Sequence, residues 1–264
     1  MPAENMNSAI TVLMYHAVGN ERGKCAGADA HYTITWRQFD SHLALSAQAG
    51  LRVRSVAHLL AAPADRTRSV AFTFDDGHRS NGPAAERIAR AGGSADFFVN
   101  PSLVGKPHNL GWSDLRSMAD AGMSIQSHGQ EHRYLDDLSP AEVVAQLVDS
   151  KKAIEDHLGR PVTLFAPPGG RMPPNLRLVA ARAGYAAVCS SRVGLWRTRE
   201  GAWDVPRLAV LQSTSDAQLA RWVGHDWWEL TNRRACYLAL ASAKRLLGNH
   251  CYERLRGRLL RIGA

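Results

Sequence analysis

Short β-branched or apolar runs alternate with helix-like stretches along almost the whole chain, and no other feature constrains the fold as much. Such alternation specifies a mainly parallel sheet covered by helices, either open or closed into a barrel. Strands are expected at Ile10–His16, Val70–Phe74, Ala95–Val99, Met123–Ser127, Val162–Phe165, Tyr185–Cys189 and Val205–Leu211. Helices are expected at Trp36–Ala49, closed by Gly50, and at about Pro83–Ala91. Others are capped by Ser113 and ended at Ala121, or span Asn175–Ala183, and a last helical region begins over Asp216–Val223. The clearest boundary is Ser139-Pro140-Ala141-Glu142, where a capping Ser, a Pro at the first helical position and a Glu completing a capping box start a helix. Gly159 and Pro161 stop it near Leu158.

The 264 residues suit one α/β barrel better than two domains. The 45% apolar and 21% charged composition is that of a globular chain and argues against disorder. Cys25, Cys189, Cys236 and Cys251 form no Cys-x-x-Cys pair, so neither a zinc ribbon nor a disulfide scaffold is expected. The N-terminal stretch lacks the basic region of a signal peptide, and no run is long and apolar enough to span a membrane. A cytoplasmic protein is the expectation that follows.

Charge divides the chain unevenly. Residues 233–264 hold eight Lys and Arg against Glu253 alone, a net +7. The preceding 232 residues, with 24 bases and 23 acids, account for only +1 of the total +8. The expected organisation is a barrel domain over 1–232 followed by a basic helical tail over 233–264. A nearly neutral barrel, with no nucleic-acid recognition motif beside the tail, argues against nucleic acid as the partner.

Several polar residues fall directly after expected strands: His16, Asp75-Asp76, His128 and Ala166-Pro167-Pro168-Gly169. In parallel α/β folds sites assemble at that edge. Adjacent carboxylates repel, so Asp75 and Asp76 at a strand end call for a counter-charge such as a metal ion, unless the Asp-Asp-Gly turn is simply solvated. Alternation along a strand also lets the two carboxylates do different work. In Ser127-His128-Gly129-Gln130-Glu131-His132, two His four residues apart on a helical turn would share one face and could chelate one ion. Asp76, His128 and His132 then make a two-His, one-carboxylate set that leaves positions open, suited to Zn²⁺, with Co²⁺ and Ni²⁺ as other candidates. Asp75 stands where it could take a proton from water.

The ordered set Thr73–Gly77, His128–His132 and Ala166–Gly170 resembles the polysaccharide deacetylase family, the nodulation-type carbohydrate esterases. Leu13-Met14-Tyr15-His16 is similar to the branch acting on poly-N-acetylglucosamine, and the resemblance spans roughly residues 10 to 211. It implies a distorted (β/α) barrel of about seven parallel strands and metal-dependent hydrolysis of N-acetyl groups on a glycan. It also implies roles: Asp75 as base, Asp76, His128 and His132 as ligands, Gly169, after Pro168, as an oxyanion donor, and His16 as acid or as a buried structural residue. The chain departs from the family where many members carry an Arg, here Ala166, so Arg207 is the candidate replacement for orienting the base. The aromatic expected at Gly169 is missing, which would open the pocket, and no late Leu-x-His motif is present.

Two other readings stay open: hydrolysis of a different amide or formyl group on another small sugar derivative, and a catalytically silent scaffold that binds glycan or membrane. The segment 235–262 interleaves Leu238, Leu240, Leu246, Leu247, Leu255, Leu259 and Leu260 with Arg and Lys. Such a pattern suits a helix on an anionic membrane surface or one packed on the barrel with its charges in water. Trp222, Trp227 and Trp228 just before it are expected to be buried against the barrel.

Overall fold

The computed structural model describes residues 9–20, 23–197 and 203–238. Its strands are β1 (Ala9–Ile10), β2 (Val12–Tyr15), β3 (Ala17–Gly19), β4 (Thr33–Thr35), β5 (Arg52–Arg54), β6 (Ser69–Phe74) and β7 (Asp96–Val99). They continue with β8 (Ser124–Ser127), β9 (Leu164–Phe165), β10 (Ala187–Cys189), β11 (Trp196–Arg197), β12 (Asp204–Val205) and β13 (Leu208–Ala209). The helices are α1 (Trp36–Gln48), α2 (Val56–Ala61), α3 (Asn81–Arg90), α4 (Trp112–Asp120), α5 (Pro140–Leu158), α6 (Leu176–Arg182) and α7 (Asp216–Val223). A further helix covers 227–238, across the expected boundary at 232/233. The remainder of the expected tail, from residue 239, lies outside the described residues.

Among the described residues a nine-stranded sheet runs in the order β12-β10-β9-β8-β7-β6-β2-β13, with β5 pairing β6 beside that path. All its pairings are parallel. The two outermost strands of this path, β12 and β13, are separated in the chain only by Pro206 and Arg207. The sheet therefore has to curl until its ends approach one another, which makes it a distorted (β/α) barrel. Nine strands replace the seven expected for two reasons. Arg52-Val53-Arg54 is too short and charged to stand out as a strand. The expected Val205–Leu211 strand is broken, because Pro206 has no N–H for a ladder and the Arg207 N–H turns away to the Arg192 carbonyl.

Side-chain alternation sorts the core into two layers. Val70, Phe72 and Phe74 of β6, with Phe97 and Val99 of β7, join Phe39, Ile88, Leu115, Leu147 and Leu176 from the covering helices. Ala71, Phe98, Val12, Leu164, Ala187 and Val205 form the other, inner layer. Residues of β6 with odd numbers thus face the barrel interior, and Asp75 continues that row past Thr73.

The helix boundaries follow their caps. The α5 capping box is present, with the Ser139 Oγ accepting from the Glu142 N–H and Gly159 closing the helix at φ 63°. Ser113 does not cap α4, contrary to expectation: the Asp114 carboxylate accepts from the Gly111 N–H at 2.8 Å, so the helix starts at Trp112. The start of α3 moves back to Asn81, since Pro83 in the first turn lacks only an N–H that would have had no helical partner.

Asp96, at the start of β7, points into the interior and accepts from the backbone N–H groups of Val56 (2.5 Å) and Ala57 (3.3 Å) at the head of α2. Burial outweighs these bonds and pushes its carboxyl up to about 7. A folded-state value above the unfolded one means the native state holds this proton longer, so stability falls as pH rises from about 4 to about 7. Thermal melts across that window should show the decline in the wild type and a flatter profile in Asp96→Asn; parallel profiles would show that another group sets the dependence.

Candidate metal centre and active site

The motif after β6 places two neighbouring carboxylates in different surroundings. Asp75 is 3% exposed and lies on the interior side of the sheet. Asp76 takes a left-handed backbone conformation (φ 72°), one that Asp tolerates better than most residues, and its side chain is 40% exposed. The Asn109 side chain donates to the Asp76 carbonyl at 3.0 Å and holds that turn.

Asp76 Oδ1 lies 3.2 Å from Nε2 of His128 and 3.2 Å from Nε2 of His132. Donor atoms of all three fall within 4.8 Å of one another. Ligands at roughly 2.1 Å in a tetrahedron sit roughly 3.4 Å apart, so this set fits a Zn²⁺-sized ion with little movement. His128 is 1% exposed and its Nδ1 donates to the Ala166 carbonyl at 2.8 Å, which fixes the ring and aims Nε2 at Asp76. The expected helical turn is absent. His128–His132 is a loop, with Gly129 at φ 80° and His132 at φ 56°, and these left-handed residues bring the two imidazoles together instead. Burial raises the Asp76 carboxyl, but bonds from His128 and His132 prevail and hold it well below the ordinary range. Burial lowers His132, and the Asp76 carboxylate reverses that and raises it.

The counter-charge to Asp75 is Arg207. Its Nη1 donates to Oδ1 at 2.7 Å and its Nη2 to Oδ2 at 2.9 Å, a two-pronged pairing in which both groups are buried. Nε of Arg207 donates to the Ser190 carbonyl at 3.1 Å, and Nη1 also reaches the Thr73 hydroxyl at 3.3 Å. Burial raises the Asp75 carboxyl, yet Arg207, with His128 and His16 beyond it, brings it below its ordinary value. Ala166 is wholly buried and contributes the carbonyl that orients His128.

His16 follows β2, and a charge on its ring acts on both Asp75 and Asp76. The ring lies 4.5 Å from that of Tyr32, and its Nδ1 is buried with no hydrogen-bond partner. Gly169 sits in the short turn Pro168–Gly170 at φ 59°, beside buried Pro168. A Cβ there would lie 2.5 Å from Cε1 of Tyr134. The pocket is therefore not opened by the missing aromatic, because Tyr134 from the loop after β8 covers Gly169 and carries Arg171 4.9 Å from its ring.

Residues outside the motifs fasten the histidine loop. The Asn100 amide donates to the carbonyls of His128 and Gly129, and Gln146 Oε1 accepts from the N–H groups of Gln130 and Glu131. Ser127 Oγ pairs with Ser150 and accepts from the Gly129 N–H. A lone Asn after a strand or a Gln inside a helix carries no sequence signal for such a role.

Residues 62–188 match the sequence model of the polysaccharide deacetylase family, so the chain carries a polysaccharide deacetylase domain. YxkH of Bacillus subtilis (strain 168) is 23% identical over 219 residues, covering 81% of this chain and 76% of its own. The fold is shared with the Streptococcus pyogenes deacetylase PplD, solved in complex with acetate, at a TM-score of 0.73 and 24% identity over 81% of this chain and 98% of that one. A de-N-acetylase from Aggregatibacter actinomycetemcomitans superposes with a TM-score of 0.69 at 18% identity, covering 81% and 99%.

Truncating Arg207 would strand a buried carboxylate. Arg207→Met should therefore lower unfolding free energy by about 3–5 kcal/mol, and Asp75→Asn in the same chain should restore part of it. Urea denaturation of the two single variants and the double variant measures this; additive losses would mean that the two side chains are not energetically coupled.

Proposed function

We propose that the chain is a metal-dependent carbohydrate N-deacetylase, a hydrolase that removes N-acetyl groups from N-acetylhexosamine units of a polysaccharide, oligosaccharide or lipid-linked glycan. Asp76, His128 and His132 would hold one divalent ion, and two imidazoles with one carboxylate suit Zn²⁺. The single observation that carries the reading is an ionised carboxylate, Asp75, clamped by Arg207 immediately beside that three-residue set.

A divalent ion bound there supplies Lewis-acid polarisation of the amide carbonyl and makes water easier to deprotonate. The protein's own groups do the rest. Asp75, kept in its charged form by Arg207, accepts the proton of the attacking water. The two-pronged clamp fixes the direction of its carboxylate, so that the lone pairs free of Arg207 face the substrate. The backbone N–H of Gly169 donates to the oxygen that gains charge at the carbonyl. His16, whose buried Nδ1 has no protein partner, delivers a proton to the departing nitrogen, and acetate and a free amine leave. Tyr134 over Gly169 supplies an apolar wall for the sugar.

Acetate release from N-acetylglucosamine oligomers tests the proposal. Asp75→Asn should lower turnover about 10²–10⁴-fold while metal content stays near one ion per chain. His128→Ala should lose the ion together with the activity. Full activity in Asp75→Asn would remove Asp75 as the base, and a wild-type chain binding no divalent ion would remove the metal-dependent reaction.

A further inference from the structure

Of the three tryptophans that precede the basic segment, one behaves differently from the other two. Trp222 is wholly buried, whereas Trp227 and Trp228 are 64% and 69% exposed, and their rings meet edge-on at 4.7 Å. They open the helix over 227–238, whose inner face is held down firmly. Glu229 accepts from Trp222 Nε1, Gln218, Arg221 and Arg233, and the Arg233 guanidinium lies 4.2 Å from the Trp222 ring. Leu230 packs on the core from the same side.

Those contacts use up the acids. Glu229 faces α7, and Asp226 Oδ1 accepts the Glu229 N–H at the head of the helix. Every exposed residue of the helix is apolar, neutral or basic: Trp227, Trp228, Thr231, Asn232, Arg234, Ala235, Cys236 and Leu238. At a helical period Trp227, Thr231, Ala235 and Leu238 form one outward stripe with Trp228 beside it. The 26 residues that follow add Lys244, Arg245, Arg254, Arg256, Arg258 and Arg261 against Glu253 alone.

We propose that Trp227, Trp228 and Leu238 dock this chain on an anionic lipid surface, with the basic segment beyond them supplying the attraction. Indole rings favour the boundary between headgroups and acyl chains, and clustered Lys and Arg favour anionic headgroups, so the two features select the same surface. A neutral glycan would satisfy the rings and leave the net +7 of residues 233–264 without a counterpart. A glycan bearing newly freed amines would be repelled by it. The nearly neutral barrel offers a second copy of the chain no comparable attraction. Docking is independent of the chemistry at Asp75, so either proposal can fail alone.

Co-sedimentation of the full chain with vesicles tests docking. Recovery on vesicles of phosphatidylglycerol and phosphatidylcholine should exceed that on phosphatidylcholine alone and should fall as salt is raised. Trp227→Ala with Trp228→Ala should reduce partitioning about tenfold or more, with thermal stability and acetate release unchanged. Brominated acyl chains should quench wild-type tryptophan fluorescence and quench the double variant less. Equal recovery of wild type and double variant overturns the proposal, as does equal recovery on both lipid mixtures. Loss of dimerisation or of glycan affinity in the double variant, without any vesicle binding by the wild type, also overturns it.

Discussion

Burying Asp75 inside the barrel obliges the fold to supply a cation, and the place that supplies it is the seam where the sheet meets itself. Arg207 lies between β12 and β13, the two outermost strands of the sheet path. Its guanidinium is available to Asp75 only when the sheet has curled far enough for both flanking strands to find their partners, Val188–Cys189 on one side and Leu13–Met14 on the other. A buried pair of this kind is a poor source of net stability, because desolvation offsets most of the attraction. What it contributes is direction: two parallel N–H···O bonds leave the carboxylate one orientation. Barrel closure and alignment of the proposed base are thus one event.

The same economy separates Asp75 from Asp76. Two adjacent carboxylates would each raise the other's proton affinity if they shared one environment. The left-handed backbone at Asp76 turns its side chain out of the inner row and over the rim, toward two imidazoles. Asp75 remains in the row that Ala71 and Thr73 began. Asp75 is held below its ordinary value by Arg207 and Asp76 by its bonds from the two imidazoles, so both stay ionised. Such a division follows from a single change of backbone sign between neighbouring residues.

This explains which parts were legible beforehand. Strand–helix alternation specified a parallel sheet covered by helices, and polar residues at strand ends marked the rim, because both signals depend on residue type at fixed local spacing; closure into a barrel came only with the family resemblance. The α5 box at Ser139–Glu142 was readable for the same reason. Geometry created by left-handed residues was not readable: His128 and His132 converge through a loop, although their spacing fits a helical turn equally well. Nor was compensation between distant segments. A gap at Gly169 looks open in sequence, yet Tyr134, 35 positions earlier, fills it in space. Helix starts moved where a side chain other than the expected one reached the free N–H, as Asp114 does for Gly111.

Arg207 lies between these cases. Nothing local distinguishes it from the other arginines, but the absence of Arg at Ala166 creates a demand that some buried cation must meet. A carboxylate on the interior side of a strand can be neutralised only by a residue that also reaches the interior, which rules out arginines on helix surfaces. Pro206 then matters, since it interrupts the ladder and lets the following residue leave the plane of the sheet.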